Sequence, residues 1–460
     1  MICGDISRKR FAVTLLSCVV ILIPPGGITY GFNSITPYLL SYMKHVNPES
    51  KTTKADFGKV YAALLIGHAV SMILGGLLER KFSTRLLAFF SVITFNVSIC
   101  CIYWTCSDVT LLIINYLFVG FSLGIVYISS IMVSLSLVDE KHNGLISGLA
   151  CFGYGLSSVF ISPLQTLFIN PNNKDPIYDE SYKEYIFTDE KVISNTPKIY
   201  MLYAVLSSLI QIPLSSRLIK NNKTPPENYK SVMDIFYIRE FYILFIIFAL
   251  IKTPLAFIAS YAKFYGETFL DDDMFLSVIC GSAALFNSLG RPFWGFVYDK
   301  LKVNKSLFLL CFGVGLSIIC FYSSKFITVP WIAKSVYSVS MWSTFFCVVG
   351  SYAVMPAATA YFFGETDIGI KYGVLFLGQA FGAVLSVIYS AYIPFWTPIM
   401  VTVMSSAFIA GLFSLMLRSA DKLKSYQKIY CIQQYQLLDK DDEVFNSDDL
   451  ELSQLNETMI

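Results

Sequence analysis

Arg291 stands inside a long apolar run, FNSLGRPFWGFVYDK from Phe286 to Lys300, about two helical turns from the water boundary set by Asp299 and Lys300. A guanidinium at that depth costs roughly 2.5 kcal/mol or more, so it persists where a polar cavity or an anion receives it. Asn287 precedes it by four residues, and a helix places the two side chains on one face. The chemistry is recognition: a fixed cation with an amide beside it, suited to an anionic solute. The alternative is a side chain that reaches back to the membrane interface.

Other polar residues share this setting. Lys252 lies near the middle of the run FALIKTPLAF, two residues before Pro254. It is either a second cation for the solute or a lysine satisfied by carbonyls that the proline frees. Its depth along an ideal helix differs from that of Arg291 by several ångströms, by the rise of about 1.5 Å per residue. His68, in LLIGHAVSM, is the one candidate proton carrier at mid-span, because no Asp or Glu falls there; a hydrogen bond to a neighbouring helix is its plainer role. Tyr30, Asn33, Gln165 and Gln379 are hydrogen-bonding groups within apolar runs, suited to a solute or to a neighbouring helix. No nucleophile–base pair, phosphate loop or metal-ligand cluster is present, so an enzyme is not expected and no cofactor is implied.

The elements that position these groups are membrane spans. The chain has 460 residues, 55% hydrophobic and only 14% charged, too apolar for a soluble protein of this length. A net charge of +2, dispersed over loops, gives no stripe for nucleic acid. The eleven cysteines fall mostly within apolar runs and form no disulfide framework. Apolar windows able to cross the hydrocarbon lie at roughly 11–43, 57–78, 86–104, 109–138, 145–169, 198–218, 241–263, 274–297, 306–323, 328–363, 372–393 and 396–417. The first is read as a span and not a cleaved signal. The expected fold is an all-α membrane protein of twelve transmembrane helices in two pseudo-symmetric six-helix bundles. Its parts are an N-terminus 1–10, a first bundle 11–218, a central loop 219–240, a second bundle 241–418 and an acidic, disordered tail 419–460.

Lys and Arg are about twice as frequent on the side that holds both termini, which puts those termini in the cytoplasm. The sequons at Asn222, Asn304 and Asn456 then face the cytoplasm and Asn96 lies within a span, so no glycan is expected. The membrane is either the plasma membrane or that of an internal organelle. In the tail, Tyr435-Gln-Leu-Leu fits a tyrosine-based signal for a cytoplasmic sorting partner.

The halves echo each other. Gly75 precedes Glu79 and Arg80 by four and five residues, and Gly295 precedes Asp299 and Lys300 by the same steps, at an offset of 220 residues. Asn143-Gly144 entering the fifth span corresponds to Tyr372-Gly373 entering the eleventh at a similar offset. The glycines suit close helix approach, and each acid–base turn suits a gate in which the carboxylate caps the next helix or pairs with a neighbouring base.

Twelve spans, a central loop and the paired Gly-x-x-x-acid-base turns together resemble the major facilitator superfamily over about residues 1–420. Within it, GGITYGFNSITPYL, NSLGRPFWGFVYD and PAATAYFFGETDIGIKYGVLF are similar to segments of the oxalate/formate antiporter and monocarboxylate porter branch. The resemblance implies that Arg291 receives a substrate carboxylate, with Asn287 where monocarboxylate porters commonly carry a proton-coupling Asp. No Lys or Arg occurs between Tyr372 and Ile393, where oxalate carriers place a second cation, so a monocarboxylate leads over a dicarboxylate. The expected function is secondary-active or facilitative transport of a small organic anion by alternating access, as antiporter or symporter, with a proton or a counter-anion as the coupled partner. An amino acid or a pantothenate-like acid is the alternative cargo. A non-transporting receptor or sensor is the alternative of another class.

Overall fold

The computed structural model describes residues 7–50, 52–174, 176–180, 184–218, 232–270, 272–364, 367–392 and 396–418. The expected central loop up to residue 231, the tail beyond 418, and the motif at Tyr435 lie outside the described residues.

The first apolar window divides into three helices, α1 (Arg8–Ile21), α2 (Ile23–Tyr30) and α3 (Phe32–Val46), where a single span was expected. Pro24 and Pro25 carry no N–H, and they sit in the first turn of α2, where none is needed. The Ile21 carbonyl, which Pro25 leaves without a helical N–H, and the Pro24 carbonyl both accept from neighbouring side chains. Gln211 Nε2 donates to Ile21 O at 2.9 Å and Tyr203 hydroxyl to Pro24 O at 2.6 Å. A broken helix is tolerated in a membrane only under such cover.

Next come α4 (Lys54–Leu78), α5 (Thr84–Thr105), α6 (Val109–Ser136) and α7 (Asn143–Ile169). Thr53 and Asp56 form a capping box at α4, Ser83 caps α5 and Asp108 caps α6, so each span starts where a short polar side chain meets an apolar run. The polar segment expected as loop from 170 to 197 holds a two-stranded antiparallel hairpin, β1 (Ile177–Asp179) and β2 (Glu184–Ile186). It also holds the first turns of α8 (Glu190–Ser215), which begins eight residues before the expected window because Asp189 caps it.

The second half comprises α9 (Arg239–Glu267), α10 (Asp273–Ser323), α11 (Pro330–Val348), α12 (Ser351–Phe363), α13 (Ile368–Tyr392) and α14 (Trp396–Leu415). The 51 residues of α10 join the expected eighth and ninth spans across a kink at Lys302, where φ is 64°. The tenth window is divided into α11 and α12 at Val349-Gly350, where both residues keep right-handed helical dihedrals and Gly350 packs directly on the Trp294 ring. At the start of α10, Lys334 pairs with Asp272 and holds its carboxyl below the usual carboxylate range, helped by the Phe275 N–H.

Ten helices among the described residues are long and apolar enough to cross a membrane, the 49-residue one containing the Lys302 kink. With that kink and α13 taken into account, the elements supply the expected twelve crossings. Large side chains such as Leu16, Phe90, Trp104, Phe118 and Leu209 point outward over half exposed, as a surface in contact with lipid requires. Residues 1–416 form one compact unit; of the second, which starts at Leu417, only Leu417 and Arg418 are described.

The halves meet crosswise, α7 on α10 and α4 on α13. These are the elements joined by the sequence echo, and glycine makes the approach possible. A Cβ on Gly148 would lie 2.4 Å from Arg291 O, one on Gly295 2.2 Å from Gly144 O, and one on Gly76 2.4 Å from Ile370 N.

Candidate functional site

Arg291 is fully buried in α10, which rules out a side chain that reaches back to the interface. Nη2 donates to Asn287 Oδ1 at 3.1 Å and to the Tyr30 hydroxyl at 3.0 Å, and Nη1 donates to Cys151 O at 3.0 Å. Among the described residues its Nε–H has no acceptor, and every acceptor of the guanidinium is neutral, so no described anion matches the charge. The Tyr30 contact depends on the end of α2, and the Cys151 carbonyl reaches Arg291 because α7 lies close. Gly155 completes the fit: a Cβ there would stand 3.0 Å from both Arg291 Nε and Asn287 Oδ1.

Lys252, in α9, is likewise buried. Its ammonium donates to Ser351 Oγ at 2.7 Å, in the first turn of α12, and not to a carbonyl freed by Pro254. Nζ also sits 3.2 Å from the Tyr352 ring centroid, while Arg291 Cζ lies 4.9 Å from the same ring. The depth difference expected from the sequence is therefore bridged by one aromatic side chain. The break between α11 and α12 offers Ser351 and Tyr352 at this level, as the break between α2 and α3 offers Tyr30. Among the described residues no Asp or Glu pairs with either cation.

The other expected residues fall around this centre or apart from it. His68 is buried in a shell of Tyr127, Tyr154 and Phe376 with ring centroids at 5.3, 6.3 and 4.9 Å, and its Nε2 has no hydrogen-bond partner among the described residues. Tyr154 also packs edge-on against Tyr30 at 5.5 Å, which links the histidine shell to the arginine. Gln379 is half-buried in α13 and Gln165 is buried beside Gly31, and the Oε1 of each has no hydrogen-bond partner among the described residues. Asn33 lies in α3, and its side chain is outside the described residues.

At the end of the molecule marked by the acid–base turns, the two copies act differently. Asp299 accepts from the N–H groups of Gly144 and Leu145, both at 2.9 Å, so it caps α7 across the halves and not the next helix. Glu79 accepts from Thr84 Oγ1 at 2.8 Å, in the first turn of α5. Arg80 crosses to the other half and grips Asp367 with Nε and Nη2 at 3.0 and 2.9 Å. Lys300 lies at the surface over the Phe296 ring. Gly75 packs on Ile125 and Ile128 in its own half, and its neighbour Gly76 makes the contact with α13. The halves are thus latched at this end.

The arginine of the Arg80 pair is partly exposed, so the latch is worth only about 1 kcal/mol or less. Arg80→Gln is expected to change the transport rate two- to fivefold. The exchange of charges, Arg80→Asp with Asp367→Arg, is expected to recover most of it; equal loss in the single and the exchanged variants would remove the latch.

The sequence did not point to Tyr352, Ser351, Tyr154 or Gly155. Tyrosine and serine are common in such spans, and only the broken helix at Gly350 distinguishes these two.

A family model described as Major Facilitator Superfamily matches residues 11–367. The chain is 24% identical over 310 residues to Apicoplast pyruvate carrier 1 of Toxoplasma gondii, covering 56% of this chain and 55% of that protein. It is 28% identical over 165 residues to Apicoplast pyruvate carrier 2 of the same organism, covering 35% and 24%. The alignment thus spans about half the length of the first and a quarter of the second. Identity to the Oxalate:formate antiporter of Oxalobacter formigenes is 22% over 351 residues, covering 74% of this chain and 77% of that one. A crystal structure of the E. coli fucose:proton symporter FucP shares the fold, with a TM-score of 0.62 at 13% identity over 88% of this chain and 98% of that one.

Proposed function

Because the chain belongs to the Major Facilitator Superfamily, we propose that it carries a small organic anion, a monocarboxylate first, by alternating access of its two bundles around Arg291. The observation that carries this reading is the buried guanidinium whose partners are all neutral, with a second cation across the Tyr352 ring. An anion supplies the missing charge. The spare Nε–H of Arg291 is the donor free to meet it, and Asn287 and Tyr30 hold the guanidinium plane while it does so. The names of the relatives, pyruvate carriers and an oxalate:formate antiporter, agree with this chemistry.

Binding the anion cancels charge that otherwise resists enclosure, so the loaded site closes more readily than the empty one. Exchange or facilitated movement follows from that without a further group. Proton symport would draw on His68 or on a proton carried by the solute. The Lys and Arg asymmetry supports an orientation with the latched end and both termini on the cytoplasmic face.

Uptake into liposomes tests the reading, with labelled pyruvate, lactate, formate, oxalate and pantothenate and with or without a pH gradient. Saturable uptake of at least one carboxylate is expected, and the gradient separates proton-coupled from uncoupled movement. If labelled amino acids added to the panel move and none of these five acids does, the organic-anion reading fails and the fold assignment remains.

A further inference from the structure

Charge recognition by Arg291 does not account for Lys252, which is just as deeply buried and is held in a defined direction. We propose that Lys252, Ser351 and Tyr352 form a second anchor that reads an acceptor oxygen on the carbon next to the carboxylate. The site then selects 2-oxo acids over simple acids of the same length. This assignment rests on the anion-carrier reading and names the chemical class that the same site prefers.

Three observations carry it. The first is direction: Ser351 Oγ donates to Val348 O at 2.6 Å, so a lone pair of that oxygen receives the Lys252 N–H at 2.7 Å and fixes the ammonium. The second is spare capacity. An ammonium has three donors, Ser351 takes one, and no other hydrogen-bond acceptor for Nζ occurs among the described residues. Its remaining surroundings are ring faces, Tyr352 at 3.2 Å and Phe248 at 4.8 Å, which attract the charge without accepting a directed bond.

The third is spacing. Both cations lie on one ring, Nζ at 3.2 Å and Cζ at 4.9 Å from its centroid. Their separation therefore cannot exceed the sum of the two distances. That bound keeps both cations within reach of one small solute, and two acceptor oxygens on adjacent carbons are a compact way to meet both by hydrogen bonds. A 2-oxo acid presents a carboxylate to Arg291 and its ketone oxygen to Lys252. A plain acid of the same length leaves the ammonium with ring faces alone, and sites built around a polar group discriminate against analogues that lack its partner.

Pyruvate and propionate test the assignment, because they have equal carbon counts and differ at the second carbon. Each competes with labelled pyruvate for uptake into liposomes that contain wild type, Lys252→Met or Ser351→Ala protein. Wild type is expected to favour pyruvate at least tenfold. Lys252→Met is expected to bring that ratio near one by weakening pyruvate at least tenfold more than propionate, and Ser351→Ala to lower the ratio part of the way.

Thermal stabilisation of detergent-purified protein by the same two acids reads the ratio in a variant that binds without transporting. Ser351→Ala serves if Lys252→Met does not fold. An unchanged ratio in the variants, or a wild-type ratio near one with anions still transported, overturns the second anchor and leaves the carrier reading intact. Failure of wild type to move or bind any carboxylate overturns both.

Discussion

Arg291→Gln is expected to lower anion uptake about a hundredfold or more while the protein still folds and reaches the membrane. The change removes the charge and the Nε–H donor that an incoming carboxylate would use. A charge-assisted hydrogen bond contributes about 1.5–3 kcal/mol, and 1.4 kcal/mol is a factor of ten, so the loss of the Nε–H bond at the upper end of that range gives about this magnitude. Folding is spared for a reason visible in the site. The glutamine amide can still donate to Asn287 Oδ1 or to Cys151 O, and an uncompensated cation leaves a buried position where it has no described acidic partner. Lys is expected to rescue poorly, since it cannot reach Tyr30, Asn287 and Cys151 at once as the planar guanidinium does. Uptake by the glutamine variant at the wild-type rate, in liposomes of matched protein content, would sink the anion site.

Arg291 and Asn287 were legible from the sequence because a charge in an apolar run is a conspicuous cost, and a spacing of four puts an amide beside it. The division into spans was legible for the same reason. What the sequence hid was how distant segments meet. Asp367 is 287 positions from Arg80, and nothing in its local sequence marks it as the other half of a latch. Lys252 and Arg291 looked mismatched in depth because depth was counted along ideal helices, whereas Tyr352, beside the Ser351 that holds Lys252, reaches both from the point where α12 begins. The hairpin at residues 177–186 escaped because strands of three residues carry too little alternation to read. Gly75 was singled out by its place in the repeat, but the side of α4 that faces α13 belongs to Gly76.

Gly148→Leu is the second large effect, and it tests alternating access itself. In the latched state a side chain at Gly148 would start 2.4 Å from Arg291 O, 2.9 Å from Arg291 C and 3.0 Å from Pro292 Cα, all backbone atoms that no rotamer change can move away. The clash is relieved only if α7 and α10 separate, and that separation opens the end closed by Asp299 and Arg80. Overpacking of a tight contact costs about 1–3 kcal/mol. A two-state equilibrium shifts tenfold for each 1.4 kcal/mol, and about 5.5 kcal/mol carries it from 1:99 to 99:1. The variant is therefore expected to lose the latched state by one or two factors of ten and to transport at least tenfold more slowly. Spin labels on Lys81 and Lys300, exposed residues on opposite halves, are expected to report longer distances in the variant than in the parent. Gly281→Leu is the control, since a Cβ there meets nothing within 4 Å, and it should leave rate and distances near the parent values. Binding separates a blocked cycle from a damaged site: an open end still admits the anion, so thermal stabilisation by substrate should survive in Gly148→Leu and vanish in Arg291→Gln. A Gly148→Leu protein that transports normally with unchanged label distances would mean that the α7–α10 contact is not part of the transport cycle.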